Sequence, residues 1–128
     1  MTLACHCLDC QRMSASAFSL GAMIPASGFR IVKGRPVARP LPGSRRHHFF
    51  CPLCMTLLFT KVEGADERVN VRVTLCDDSS WFTPFVETMT QDRLPWAVTP
   101  AVHSYDAFPT PAEFQRLLAE FARWGESG

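Results

Sequence analysis

Polar and apolar side chains alternate most regularly over Arg68-Val69-Asn70-Val71-Arg72-Val73-Thr74-Leu75. That period of two predicts a strand with one buried face. Shorter apolar runs predict its neighbours. Phe18 to Ile24, closed by the turn Pro25-Ala26-Ser27-Gly28, reads as a buried strand, and Phe29-Arg30-Ile31-Val32-Lys33 as a short one stopped by Gly34. Arg45 to Phe50 and Thr56-Leu57-Leu58-Phe59-Thr60 read as the two arms of a hairpin, and Trp81 to Thr90 holds a further short strand. Between Gly34 and Gly43, Pro36, Pro40 and Pro42 forbid a helix and favour extended edge or loop backbone, with Pro25 marking the approach. Gln91 to Pro109 has no period, and the aromatic residues of Pro95-Trp96 and Phe108-Pro109 are expected to pack over the core.

The period changes only at the end of the chain. Thr110-Pro111-Ala112-Glu113 supplies an N-cap, a proline at the first helical position and a capping-box glutamate. Phe114, Leu117, Leu118 and Phe121 follow at helical spacing, predicting a helix over about 111–124 with one apolar stripe for docking. No internal repeat is visible, and 128 residues suffice for a single domain, 1–128, with one modest core.

Composition mostly excludes. With 47% hydrophobic and 20% charged residues the chain is not a disordered segment. A net charge of +1 offers no global field for nucleic acid or an anionic membrane. No apolar run approaches the roughly 20 residues needed to span a bilayer. The opening Met1-Thr2-Leu3-Ala4-Cys5 has neither the basic start nor the apolar core of a signal peptide, which favours the cytoplasm. The densest basic run, Arg45-Arg46-His47-His48, is expected to be a solvated strand end or a contact for a substrate anion.

Cysteine carries the candidate chemistry. Cys5-His6-Cys7-Leu8-Asp9-Cys10 places three soft ligands within reach of one ion, and zinc is the first candidate. Cys51-Pro52-Leu53-Cys54 has the two-residue gap that lets a tight turn aim both sulfurs at one point. Disulfides are the alternative for six cysteines. Three crowded into one hexapeptide would pair badly with one another, and no export signal is visible, so metal is preferred. Cys76 stands apart and is expected to be a small buried hydrophobe. The run Ser14 to Ala17 fits a tight backbone passage beside a metal, its hydroxyls available to thiolates or ligand.

Several stretches together resemble the glutathione-dependent formaldehyde-activating enzymes, whose relatives include the centromere protein V group. Cys5-His6-Cys7-Leu8-Asp9-Cys10, Arg12 and Ser14-Ala15-Ser16-Ala17-Phe18 look like the family's first motif, with Ala15 where glycine is usual. Phe29 and Gly34 fit the next strand. Phe50-Cys51-Pro52-Leu53-Cys54-Met55-Thr56 fits the second motif, with Met55 replacing glycine. In Val71 to Asp77, Thr74 and Leu75 match a third motif while Val73 and Cys76 replace glycine and aspartate. Pro84-Phe85-Val86-Glu87 fits a segment with histidine where Glu87 stands, and Pro95-Trp96 fits a late proline-tryptophan pair.

The resemblance implies a mainly β, β-tent-like fold of short antiparallel strands with one C-terminal helix. It implies two zinc sites, with Cys5, Cys7 and Cys10 at the catalytic one and Cys51 and Cys54 as half of a structural one. Family members normally begin with a further Cys-x-Cys strand region, and this sequence is expected to lack it. Cys51 and Cys54 are then metal-free, disulfide-bonded or recruited to the Cys5/Cys7/Cys10 metal. An exposed sheet edge left by the missing strand would favour a homodimer.

Three protein ligands leave a fourth tetrahedral position for a substrate, the pattern of catalytic zinc. A thiol entering it would be deprotonated and could add to an aldehyde carbonyl held alongside. The family supplies the partners, glutathione and formaldehyde, and the product S-hydroxymethylglutathione. Arg12, Arg45 and Arg46 are candidates for pairing a glutathione carboxylate. His6 is either a tuning group, a substrate contact or an exposed bystander. Two rivals stand beside the lyase: a non-enzymatic module in which Cys7, Cys10, Cys51 and Cys54 close one four-thiolate site for protein interaction, and a folded but inactive family member.

Overall fold

The computed structural model describes residues 1–40 and 42–126; Leu41, inside the proline-rich segment, and Ser127 and Gly128 lie outside it. Strands β1 (Thr2–Cys5), β2 (Ser19–Pro25), β3 (Val37–Pro40), β4 (Arg46–Phe50), β5 (Leu57–Val62), β6 (Arg68–Arg72), β7 (Val86–Thr88) and β8 (His103–Ser104) are joined by helices α1 (Leu8–Ser14) and α2 (Pro111–Glu126). They form two compact units, Gly21–Ser80 and Met1–Leu20 with the chain from Trp81 onward.

In the unit Gly21–Ser80 the strand order is β3-β4-β5-β6-β2, antiparallel throughout. Its core is the inward face of the alternating segment, with Val69 and Val73 each 1% exposed. The strand ends at Arg72, and Val73–Leu75 turn as a short 3-10 segment. The expected strand Phe29 to Lys33 does not form. Phe29 gives its ring to the core instead, 4.7 Å from Phe59, which stacks on Phe49 at 4.5 Å. The edge position goes to β3, in the proline-rich segment, as expected of a strand that carries proline.

The second unit corrects the expectation of antiparallel strands with one C-terminal helix. β1 pairs β7 in parallel, Leu3 opposite Val86 and Cys5 opposite Thr88, and β7 pairs β8 in parallel, Glu87 opposite Ser104. A second helix, α1, follows β1 directly. The fold is therefore mixed parallel and antiparallel β structure with a helix near each end of the chain, rather than a β-tent. The parallel pairing joins segments about eighty residues apart, and no local pattern encodes such a partner.

α2 docks by its apolar stripe within this unit. Leu117 is buried, and Phe85 meets the Phe121 ring at 5.3 Å and the Trp124 ring at 5.2 Å. His103 Nε2 pairs Glu120 Oε2 at 2.8 Å beside them. Thr110 and Glu113 form the capping box: the Thr110 amide donates to Glu113 Oε2 at 2.8 Å, and the Glu113 amide to Thr110 Oγ1 at 3.3 Å. Trp96 does not pack over the core as expected; it is 73% exposed, and Phe108 is exposed as well. No helix among the described residues is long and apolar enough to cross a membrane.

Candidate metal centre

β1 ends at Cys5 and α1 begins after Cys7, so the hexapeptide is a strand-to-helix corner. Cys7 caps the helix, its Sγ accepting the Cys10 amide at 3.3 Å, and the Gln11 amide donates to the Cys7 carbonyl at 3.0 Å. Ala15 ends the helix in the left-handed conformation, φ 48°. The run Ser14 to Ala17 is thus a helix end, and the Ser14 hydroxyl donates to the Cys10 and Phe18 carbonyls rather than to sulfur.

The corner folds three sulfurs together. The Sγ atoms of Cys5, Cys7 and Cys10 lie within 4.8 Å of one another, Cys5 buried and the other two half-buried. The Cys10 and Cys7 thiols, donating to the Cys5 sulfur, hold it far below the ordinary thiol pKa against the opposing effect of burial. Cys10 is pushed far above the ordinary value, first by its hydrogen bonds to Cys5 and Cys7 and then by burial. Thiolates at a tetrahedral zinc, about 2.3 Å from the ion, stand about 3.8 Å apart. The sulfurs need close by at most about 1 Å, so the donor set and its spacing fit a soft divalent ion.

The loop between the first two sulfurs is pinned on every side. The His6 amide donates to the Thr88 carbonyl at 3.0 Å, and the His6 carbonyl accepts Gln11 Nε2 at 2.7 Å. The same Gln11 nitrogen donates to the Asp92 carbonyl at 2.9 Å. The His6 ring is fully buried, packed edge-on to Phe18 at 5.3 Å, and its Nε2 pairs Glu87 Oε2 at 2.9 Å. Nδ1 has no partner among the described residues, and a carboxylate oxygen only accepts, so the tautomer is assigned with N–H on Nε2 donating to Glu87. His6 is therefore no exposed bystander, and it stands outside the three-sulfur group.

Glu87 is the centre of this support. Oε2 also accepts Thr99 Oγ1 at 2.9 Å, while Oε1 accepts Ser104 Oγ at 2.8 Å and Arg93 Nη1 at 3.3 Å. Burial alone would raise its pKa, but hydrogen bonds from Ser104, His6 and Thr99 hold the carboxyl below the ordinary value. Sequence patterns pointed neither to Glu87 as the partner of His6 nor to Thr99, Ser104 and Arg93 as donors to Glu87. The available signal was a lone carboxylate inside the apolar stretch Pro84-Phe85-Val86, which requires donors if buried.

The remaining candidates lie elsewhere. Cys51 and Cys54 sit on the turn joining β4 to β5, in the other unit, with the Met55 amide closing on the Cys51 carbonyl at 2.8 Å. Cys54 is exposed, and the Thr56 hydroxyl at 3.2 Å draws its thiol pKa down. Arg12 is exposed on α1; Arg45 and Arg46 are exposed in the other unit, where Arg45 Nη2 donates to the Glu63 carbonyl at 2.6 Å. Cys76, expected inside, is exposed. Ala15 and Met55, the residues in the usual glycine places, both have positive φ, 48° and 58°, which explains why glycine suits those positions.

Residues 1–92 match the family described as glutathione-dependent formaldehyde-activating enzyme. The expectation that the chain lacks an N-terminal Cys-x-Cys pair is corrected: Cys5-His6-Cys7 is such a pair, and with Cys10 it forms the sulfur cluster inside the matched residues. No curated protein matches the chain.

Proposed function

We propose, from the premise that the chain belongs to the glutathione-dependent formaldehyde-activating enzyme family, that it is a zinc-dependent carbon-sulfur lyase joining a thiol to a small aldehyde. Glutathione and formaldehyde are the partners the family suggests. The observation that carries the reading is the group of three sulfurs, Cys5, Cys7 and Cys10, inside the matched segment.

Those three cysteines would hold the ion and leave one side for a substrate. Zinc held there would supply the positive charge that keeps a substrate thiol deprotonated near neutral pH. The chain's own residues prepare the place. Hydrogen bonds to the His6 amide, carbonyl and ring fix the segment between Cys5 and Cys7, so the sulfurs need little rearrangement. Burial of Cys5 and His6 excludes water from one side of the cluster. Arg12, on the same helix as Cys10, is the candidate for a glutathione carboxylate. Membership of Cys5 in the cluster favours the open site over a four-thiolate module, which has no use for it. Six free cysteines suit a reducing compartment, and we infer the cytoplasm.

The test is metal content together with thiol-dependent consumption of formaldehyde. The wild-type chain is expected to carry about one zinc at this site and to turn over formaldehyde only with glutathione present. Cys7→Ser is expected to lose both properties together; turnover retained without metal would sink the role of the cluster.

A further inference from the structure

Two buried hydroxyls remain beside the sulfurs without a use. Thr88 is 6% exposed and Ser19 is 3% exposed, and neither hydroxyl oxygen makes a formed hydrogen bond among the described residues. An orphaned buried hydroxyl costs about 1–3 kcal/mol, and valine would fill the Thr88 position at equal volume without that cost. β7 is buried along its whole length, so an apolar residue there is the default. Yet both hydroxyls face the same cluster. Thr88 lies opposite Cys5 in the parallel β1/β7 pair, with both side chains on one face of the sheet. Its oxygen bears on the Cys5 sulfur, and that of Ser19, at the start of β2, bears on Cys10.

We propose that Thr88 and Ser19 are positioning residues of the three-sulfur centre, their hydroxyl protons donated to the Cys5 and Cys10 sulfurs when a soft divalent cation is bound. The inference rests on the reading that Cys5, Cys7 and Cys10 take such an ion. Each thiol sulfur has lone pairs beyond the one directed at the metal, and a hydroxyl beside it needs only to rotate to donate there. Ser14, the hydroxyl first expected at the sulfurs, is committed to backbone carbonyls and serves as the control.

The experiment is titration of the full chain with Co²⁺, following thiolate-to-cobalt absorption, with affinity set by competition against a chromophoric chelator at fixed pH. Thr88→Val and Ser19→Ala are each expected to weaken Co²⁺ binding by about 10–100-fold, the range for groups supporting metal ligands. Thr88→Ser, which keeps the hydroxyl, should bind within a few-fold of wild type, as should Ser14→Ala. Binding unchanged in Thr88→Val and Ser19→Ala overturns the proposal while leaving the metal reading intact. An equal loss in Thr88→Ser overturns it too, because packing and not the hydroxyl would then be responsible. A wild-type chain that takes up no Co²⁺ sinks the metal reading itself, and this inference with it.

Discussion

Replacing Glu87 by leucine tests the support behind the sulfur cluster most directly. The substitution removes the acceptor for His6 Nε2, Thr99 Oγ1, Ser104 Oγ and Arg93 Nη1 at one stroke. Their costs differ because their access to water differs. Ser104 and Arg93 are exposed and Thr99 is half-buried, so these three regain most of their hydrogen bonding from solvent. His6 is 0% exposed and cannot. An orphaned buried donor costs about 1–3 kcal/mol, more when its partner was charged, and the three solvent-accessible bonds together add about 1 kcal/mol. Leucine returns part of this by burying apolar surface, which leaves an expected loss of about 3 kcal/mol, or a Tm lower by about 10 °C for a chain of this size. The assay is urea unfolding of the chelator-treated protein followed by tryptophan fluorescence, so that metal binding does not contribute. His6→Phe with Glu87→Leu should recover part of the loss, because replacing both partners removes the orphan. A single-variant loss below about 1 kcal/mol, or strict additivity in the double variant, would refute the assignment of His6 as a proton donor dependent on Glu87.

Acid sensitivity follows from the same carboxylate. Its folded pKa lies below its ordinary value of 4.5, so its stabilisation is present above that pH and is lost as pH falls through the folded value. Glu87→Gln in the metal-free chain should therefore flatten the fall of stability below about pH 4.5, measured by urea midpoints at several pH values; an unchanged slope would contradict it. Met55→Gly should stabilise the β4/β5 turn by about 1 kcal/mol, since φ 58° strains a side chain but not glycine, and a lower urea midpoint would count against that account. Phe85→Ala should cost about 3–5 kcal/mol and loosen α2, because this ring carries the contacts with Phe121 and Trp124. Amide exchange along α2 would show it, and protection equal to wild type would be the contrary result.

Local chemistry was legible wherever the cause is local. Thr110-Pro111-Ala112-Glu113 announced the start of α2, and the structure forms that capping box with the expected atoms. The alternation from Arg68 announced β6 because side chains on a strand face opposite sides, and one side had to be buried. The spacing of Cys5, Cys7 and Cys10 placed three sulfurs within one turn of chain, and nearness in sequence alone brings them together in space.

What the tertiary structure decided has a different character. α1 escaped notice because its cap is a cysteine sulfur and its face holds no apolar stripe. The pairing of β1 with β7, the burial of His6 and its union with Glu87 depend on segments about eighty residues apart, for which one sequence carries no register. The same holds for Thr88 and Ser19, ordinary residues in a list and orphaned hydroxyls only once β7 and β2 bring them against sulfur. The sequence alone determined which sulfurs come together; long-range packing determined which groups pin the backbone around them, because that packing is settled by the whole chain at once and not by any stretch of it.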